Sequence, residues 1–149
     1  MYMPHTVTVY NVIHETDPTT FQDTDSVNIT VLRGVFCQAS KATNVRQSGL
    51  VSADAVNLYI PFGVTAVDGT TGAAKTYAKP QAYWSAQDRS SLWTLSFEGN
   101  GGETFFIKGE VVLQDLTAAR AHDDCYVVTK VDEKDYGSPD MQHWEVGGA

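Results

Sequence analysis

Apolar and polar residues alternate with a period of two along most of this chain, the pattern of strands buried on one face. Residues 6–13, TVTVYNVI, alternate and are rich in β-branched side chains, and they predict a first strand. Residues 14–25 carry Thr, Asp and Pro18 and predict a polar hairpin loop. Alternation resumes over residues 27–32, with Val27, Ile29 and Val31 on one face, so the sheet is expected to begin as an antiparallel pair. Gly34 interrupts the run before Val35, Phe36 and Cys37 and predicts a bulge or sharp bend.

Farther along, Val56, Leu58 and Ile60 alternate, and Pro61 should end that strand because it has no amide proton for a ladder. Two segments, residues 39–54 and 62–80, are irregular and read as loops; Asp68-Gly69 and Thr71-Gly72 are turn signals in the second. Residues 80–84 predict a strand or sheet edge, 92–97 a strand, and 98–103 a glycine-rich turn. Residues 104–108 predict a short strand, continued beyond a break by 109–113. Asp115 is a good N-cap for one brief helical turn ending near Ala121. Residues 126–132 and 141–146 predict the last strands, with a turn at 136–140 between them. About eight short strands with frequent turns imply an all-β chain, a small antiparallel β-barrel or sandwich, as a single domain over residues 1–149.

Composition narrows the functional classes. The 149 residues are 42% hydrophobic, enough to bury a core without staples. Ten Lys and Arg against 18 Asp and Glu leave a formal charge of −8, which argues against a dedicated nucleic-acid binder. No apolar run approaches the ~18–20 residues that span a bilayer, so no membrane association is expected. Residues 1–6 have neither a basic region nor an apolar one, and no secretory signal is visible in them. Cys37 and Cys125 each border an apolar run and are expected to be buried free thiols, consistent with synthesis in a reducing cytoplasm.

No catalytic signature emerges, and no cofactor or metal is expected. The densest polar cluster, His122, Asp123, Asp124 and Cys125, runs along consecutive positions, which in a strand point to opposite faces. It reads as a polar turn entering a strand. Neither cysteine has, locally, a nearby imidazole together with the exposed, electropositive setting that activation needs. Residues 98–103 lack the spacing and lysine of a phosphate loop. Tyr83, Trp84, Trp93, Phe97, Phe105, Phe106 and Trp144 could line a sugar-stacking platform, but a sheet core is the more natural home for most of them. The two irregular segments hold Lys41, Arg46, Lys75 and Lys79, four of the ten basic residues, and long loops on a small β-scaffold commonly carry function.

The order of five segments, VTVYN at residues 7–11, ITVLRGVF at 29–36, SADAVNLYIP at 52–61, FIKGE at 106–110 and HWEVGG at 143–148, is similar to that of small neck proteins of tailed bacteriophages and prophages. These are described as minor capsid or head-closure proteins. The resemblance implies a non-enzymatic, β-barrel-like subunit in a homo-oligomeric ring beneath the portal, located in the virion neck. Its neighbours would be a portal or adaptor ring above and a tail-terminator ring below, with non-specific contact to packaged DNA. On that reading Lys41, Arg46, Leu50, Asp54, Phe62, Lys75 and Lys79 are the candidate inter-subunit or channel-facing positions. Tail-terminator and other tail components use similar subunits. The competing class is a carbohydrate-binding β-sandwich of a phage or secreted adhesin, which requires exposed, coplanar Trp84, Trp93 or Trp144.

Overall fold

The alternation at the start of the chain becomes a long antiparallel hairpin, β1 (His5–Thr16) and β2 (Asp23–Ala39). The computed structural model describes residues 3–39, 56–97 and 103–149. Among them follow β3 (Val56–Pro61), β4 (Thr65–Asp68), β5 (Thr76–Tyr77), β6 (Leu92–Trp93), β7 (Thr104–Lys108), β8 (Cys125–Lys134) and β9 (His143–Gly148). Two short helices, α1 (Pro80–Ser85) and α2 (Leu116–Arg120), lie between strands. The protein is all-β, as its periodicity predicts.

Antiparallel pairing runs β1–β7–β8–β9–β3–β2 and returns from β2 to β1, an uneven closure that makes the sheet a barrel-like sandwich. Two strands turn its corners by changing partners. β2 pairs with β1 as far as Val35, then with β3 from Phe36 to Ala39. Gly34 sits at this bend with φ of +88°, a left-handed conformation that glycine adopts without Cβ conflict. β8 pairs with β7 over its first three residues, then with β9, across a register shift between Val128 and Lys130. β4 adds to the other edge of β2 at Thr30 to Arg33.

Alternate residues of β1 serve two apolar layers. Val7 and Val9 face the barrel interior with Leu32, Leu58, Ile60 and Phe106. Tyr10 and Val12 face outward with Ile29, Phe105 and Ile107, and are roofed by Val111, Leu113, Leu116 and Ala119. The Tyr10 hydroxyl donates to the Val111 carbonyl and accepts from the Leu113 amide at 3.1 Å, which ties the roof down. The Asp115 carboxylate accepts from the Thr117 amide at 3.0 Å, the cap expected for α2.

Several segments depart from the alternation. Residues 80–84, expected as a strand, form α1, because Pro80 at its first turn presets helical φ after an extended Lys79. Residues 93–96 are all buried rather than alternating, and only Leu92 and Trp93 pair as a strand, parallel to β5. The segment crosses the interior, where the Asn11 side chain substitutes for a neighbouring strand. Its Nδ2 donates to the Thr94 carbonyl at 2.9 Å, and its Oδ1 accepts from the Thr94 amide at 3.3 Å. Residues 62–79, expected as a loop, contain β4 and β5, and the last strand begins at His143, after a 3-10 turn over Pro139–Met141.

The strand β9 is held too closely for any side chain at Gly148. A Cβ there would stand 2.7 Å from Val56 Cγ1 and 3.2 Å from the Val127 carbonyl. Gly148→Ala is therefore expected to cost roughly 1–3 kcal/mol by overpacking. A lowered urea midpoint with an unchanged m-value is the readout.

Candidate interaction surface

Phe62 and Tyr77 pack onto Trp144 of β9, with ring centroids 4.5 and 4.3 Å away, and Trp93 meets the same indole at 5.7 Å. Beside this cluster opens a groove of about 170 Å³ lined by Tyr77, Pro80, Leu95, Val131 and Trp144, with Lys79 and Glu133 as its charged members. Ligand pockets for drug-sized molecules start near ~300 Å³, so this one suits a single inserted side chain. Burial, reinforced by the Glu133 carboxylate, pushes the Tyr77 hydroxyl up to about 12, and it stays a neutral phenol at physiological pH. The Trp144 indole N–H is buried and has no hydrogen-bond partner among the described residues.

Lys75, expected at a loop surface, is interior instead, with its side chain 0% exposed. Its Nζ donates to Asn28 Oδ1 at 2.6 Å, the Ile29 carbonyl at 2.9 Å and Thr30 Oγ1 at 3.0 Å, and lies 3.0 Å from Asp68 Oδ1. Burial lowers its pKa, and the hydrogen bond and charge of Asp68 work against that shift. For Asp68, burial works to raise the pKa. The Thr71 and Thr70 amides and the Lys75 ammonium outweigh it and hold the carboxyl below its ordinary range. Asn28 Nδ2 lies 2.9 Å from the Tyr83 hydroxyl and from the Arg89 and Leu92 carbonyls. One buried network thus joins β2, the turn after β4, α1 and the approach to β6. Within this chain Lys75 holds the fold together and is closed to a partner.

The other expected positions are distributed differently. Phe62 is half-buried in the aromatic cluster. Lys79 is exposed at the start of α1, and its ammonium has no ion-pair partner among the described residues. Lys41, Arg46, Leu50 and Asp54 lie outside the described residues. Trp93 and Trp144 are core residues crossing at 78°, and Trp84 is half-buried edge-on to Tyr83, so the indoles do not form an exposed coplanar platform. Both cysteines are free, Cys37 in the core and Cys125 half-buried. His122 Nδ1 accepts from the Asp124 amide at 3.1 Å, a turn leading into β8. Among the described residues no three metal-ligating side chains converge.

A second feature was hidden in the segment expected to be a loop. β1 and β2 run on past the barrel rim: among the described residues β7 pairs with β1 only over residues 7–11, and β4 with β2 only from Thr30. Beyond Val12 and Val27 no other described strand pairs with the hairpin, which continues as a two-stranded ribbon. His14 Nδ1 meets Asp25 Oδ1 at 2.6 Å, and Thr16 Oγ1 donates to Asp23 Oδ1 at 2.6 Å. At the tip the Phe21 amide donates to the Asp17 carbonyl at 2.8 Å, and the Asp17 amide to the Gln22 carbonyl at 2.9 Å. Phe21 itself is 81% exposed, at φ of +56°. A phenylalanine inside a polar, Pro-containing turn was the signal available in the sequence.

No curated protein and no solved structure matches this chain. Residues 2–149 match a family of unknown function (DUF6751), and the chain belongs to that family.

Proposed function

We propose that this protein is a structural head-to-tail connector subunit of the head-closure type from a tailed bacteriophage. It assembles with copies of itself as a ring around the DNA channel, between the portal–adaptor complex and the tail. One observation carries this reading. The five segments that resemble phage neck proteins fall on β7, β1, β2, β3 and β9, which are consecutive neighbours in the sheet. These five strands make up all but β8 of the closed strand ring, so the likeness concerns the scaffold of the barrel. Several of these residues are scaffold: Gly109 turns the chain after β7 with φ of +104° and accepts from Thr8 Oγ1 at 2.8 Å, while Trp144 and Val146 fill the core.

In this reading the scaffold carries no catalytic residue and no cofactor, and contacts come from the segment holding Lys41, Arg46, Leu50 and Asp54, which lies outside the described residues, from the surface around Phe62 and Lys79, and from the ribbon. Its partners are ring neighbours, the portal–adaptor ring and the tail-terminator ring, within the virion neck after synthesis in the host cytoplasm. The net charge of −8 lets packaged DNA pass without adhering. Light scattering on the purified protein, alone and with a portal–adaptor complex, tests the assignment. A mass increase through incorporation onto the complex is expected. Binding to tails alone would make it a tail terminator, and a monomer that ignores both would overturn the ring.

A further inference from the structure

We propose that the β1–β2 ribbon is a docking arm that inserts Phe21 into the Tyr77–Trp144 groove of a second copy of this chain. The inference deepens the ring reading, and rests on it for the identity of the partner as another copy.

The arm is built to present its tip. Cross-strand ties at His14–Asp25 and Thr16–Asp23 stiffen the ribbon, and the turn hydrogen bonds fix Phe21 outward. Phe21 is the most exposed large apolar side chain among the described residues, and it is held at positive φ, which is uncommon for a bulky residue. The ribbon's sequence also excludes one alternative. Residues 3–32 contain no Lys or Arg, while Glu15, Asp17, Asp23 and Asp25 are acidic, so two ribbons repel each other edge to edge. A contact with a different surface avoids that repulsion.

The groove supplies that surface. Its size admits one aromatic side chain, and half-buried Tyr77, Pro80 and Val131 wall it over the buried Leu95 and Trp144. Lys79 at its edge is an exposed cation without a partner among the described residues, available to the acids beside Phe21. Glu133, on the β8 wall, is the feature the acids must avoid. Knob and groove occupy different parts of the chain, so the contact is heterologous and repeats from copy to copy, the geometry that closes rings by rotation.

The test mixes Gln22→Cys and Gln81→Cys proteins, both in a Cys125→Ser background, with a short bis-maleimide. Gln22 adjoins the tip, Gln81 adjoins the groove on α1, and both are exposed. A cross-linked heterodimer is expected, with its yield reduced at least tenfold by Phe21→Ser on the first protein or Lys79→Glu on the second. Assembly mass is measured in parallel, alone and on the portal–adaptor complex. Assembly without this cross-link, or a cross-link indifferent to both substitutions, overturns the docking arm and leaves the ring standing. A substitution-sensitive cross-link without incorporation onto the portal complex supports the arm and removes the phage assignment. Neither cross-link nor assembly removes both.

Discussion

Lys75→Met destabilises the protein by about 3–5 kcal/mol, the cost of leaving a buried charge without its partner. The ammonium has three hydrogen-bond acceptors in β2 and a carboxylate 3.0 Å away on the turn after β4. Methionine fills most of the volume, so the loss is electrostatic rather than a cavity. Asp68 then faces an apolar chain, and Asn28 Oδ1 loses its donor. For a chain of this size each kcal/mol is worth ~2–4 °C, so the melting temperature falls by roughly 6–20 °C. Adding Asp68→Asn to Lys75→Met is expected to recover part of the loss, because the orphaned charge goes with it. A double mutant no more stable than Lys75→Met would show that Asp68 is not what the lysine balances.

The same pair sets an acid limit. Asp68 ionises below its ordinary value of 3.8 in the folded protein, so in the window beneath 3.8 the unfolded chain binds more protons than the folded one. Its contribution is therefore complete above that pH and is lost as the pH falls through the folded value. Denaturation midpoints between pH 5 and 2 should fall less steeply for Asp68→Asn than for the wild type.

Trp144→Ala removes the indole that Phe62, Tyr77 and Trp93 all touch, and is expected to cost about 3–5 kcal/mol. The residue is only 5% exposed, so little of that volume collapses without shifting β5 and β6. Trp144→Phe separates ring packing from the indole N–H. It keeps an aromatic ring and gives up an N–H with no partner among the described residues, so the stability loss should be well below that of the alanine variant. If Trp144→Phe is as destabilised as Trp144→Ala, the N–H has a structural partner.

Much of the architecture could be read from residue order. Val7 and Val9, or Val56, Leu58 and Ile60, alternate because one strand face meets the core, and period two states this locally. Gly34, Pro61 and the Asp115 cap were legible for the same reason: each acts on its own backbone. The site was legible only in part. Phe62 and Lys79 were singled out, and both belong to the region that builds the groove, but nothing in the neighbourhood of Lys75 announces that its amine turns inward. Its three acceptors lie at residues 28–30, more than forty positions away.

What the sequence determined alone is the all-β class, the strand faces, the capped helical turn and the acidic balance, since all depend on neighbours within a few residues. Tertiary structure decided the rest. It bent β2 and β8 between partners, buried residues 93–96 against Asn11, extended a presumed loop into a ribbon, and placed Lys75 among distant oxygens. These outcomes depend on which surfaces meet across long separations, where the desolvation of a charge or the pairing of an amide is settled by a partner that local pattern does not contain.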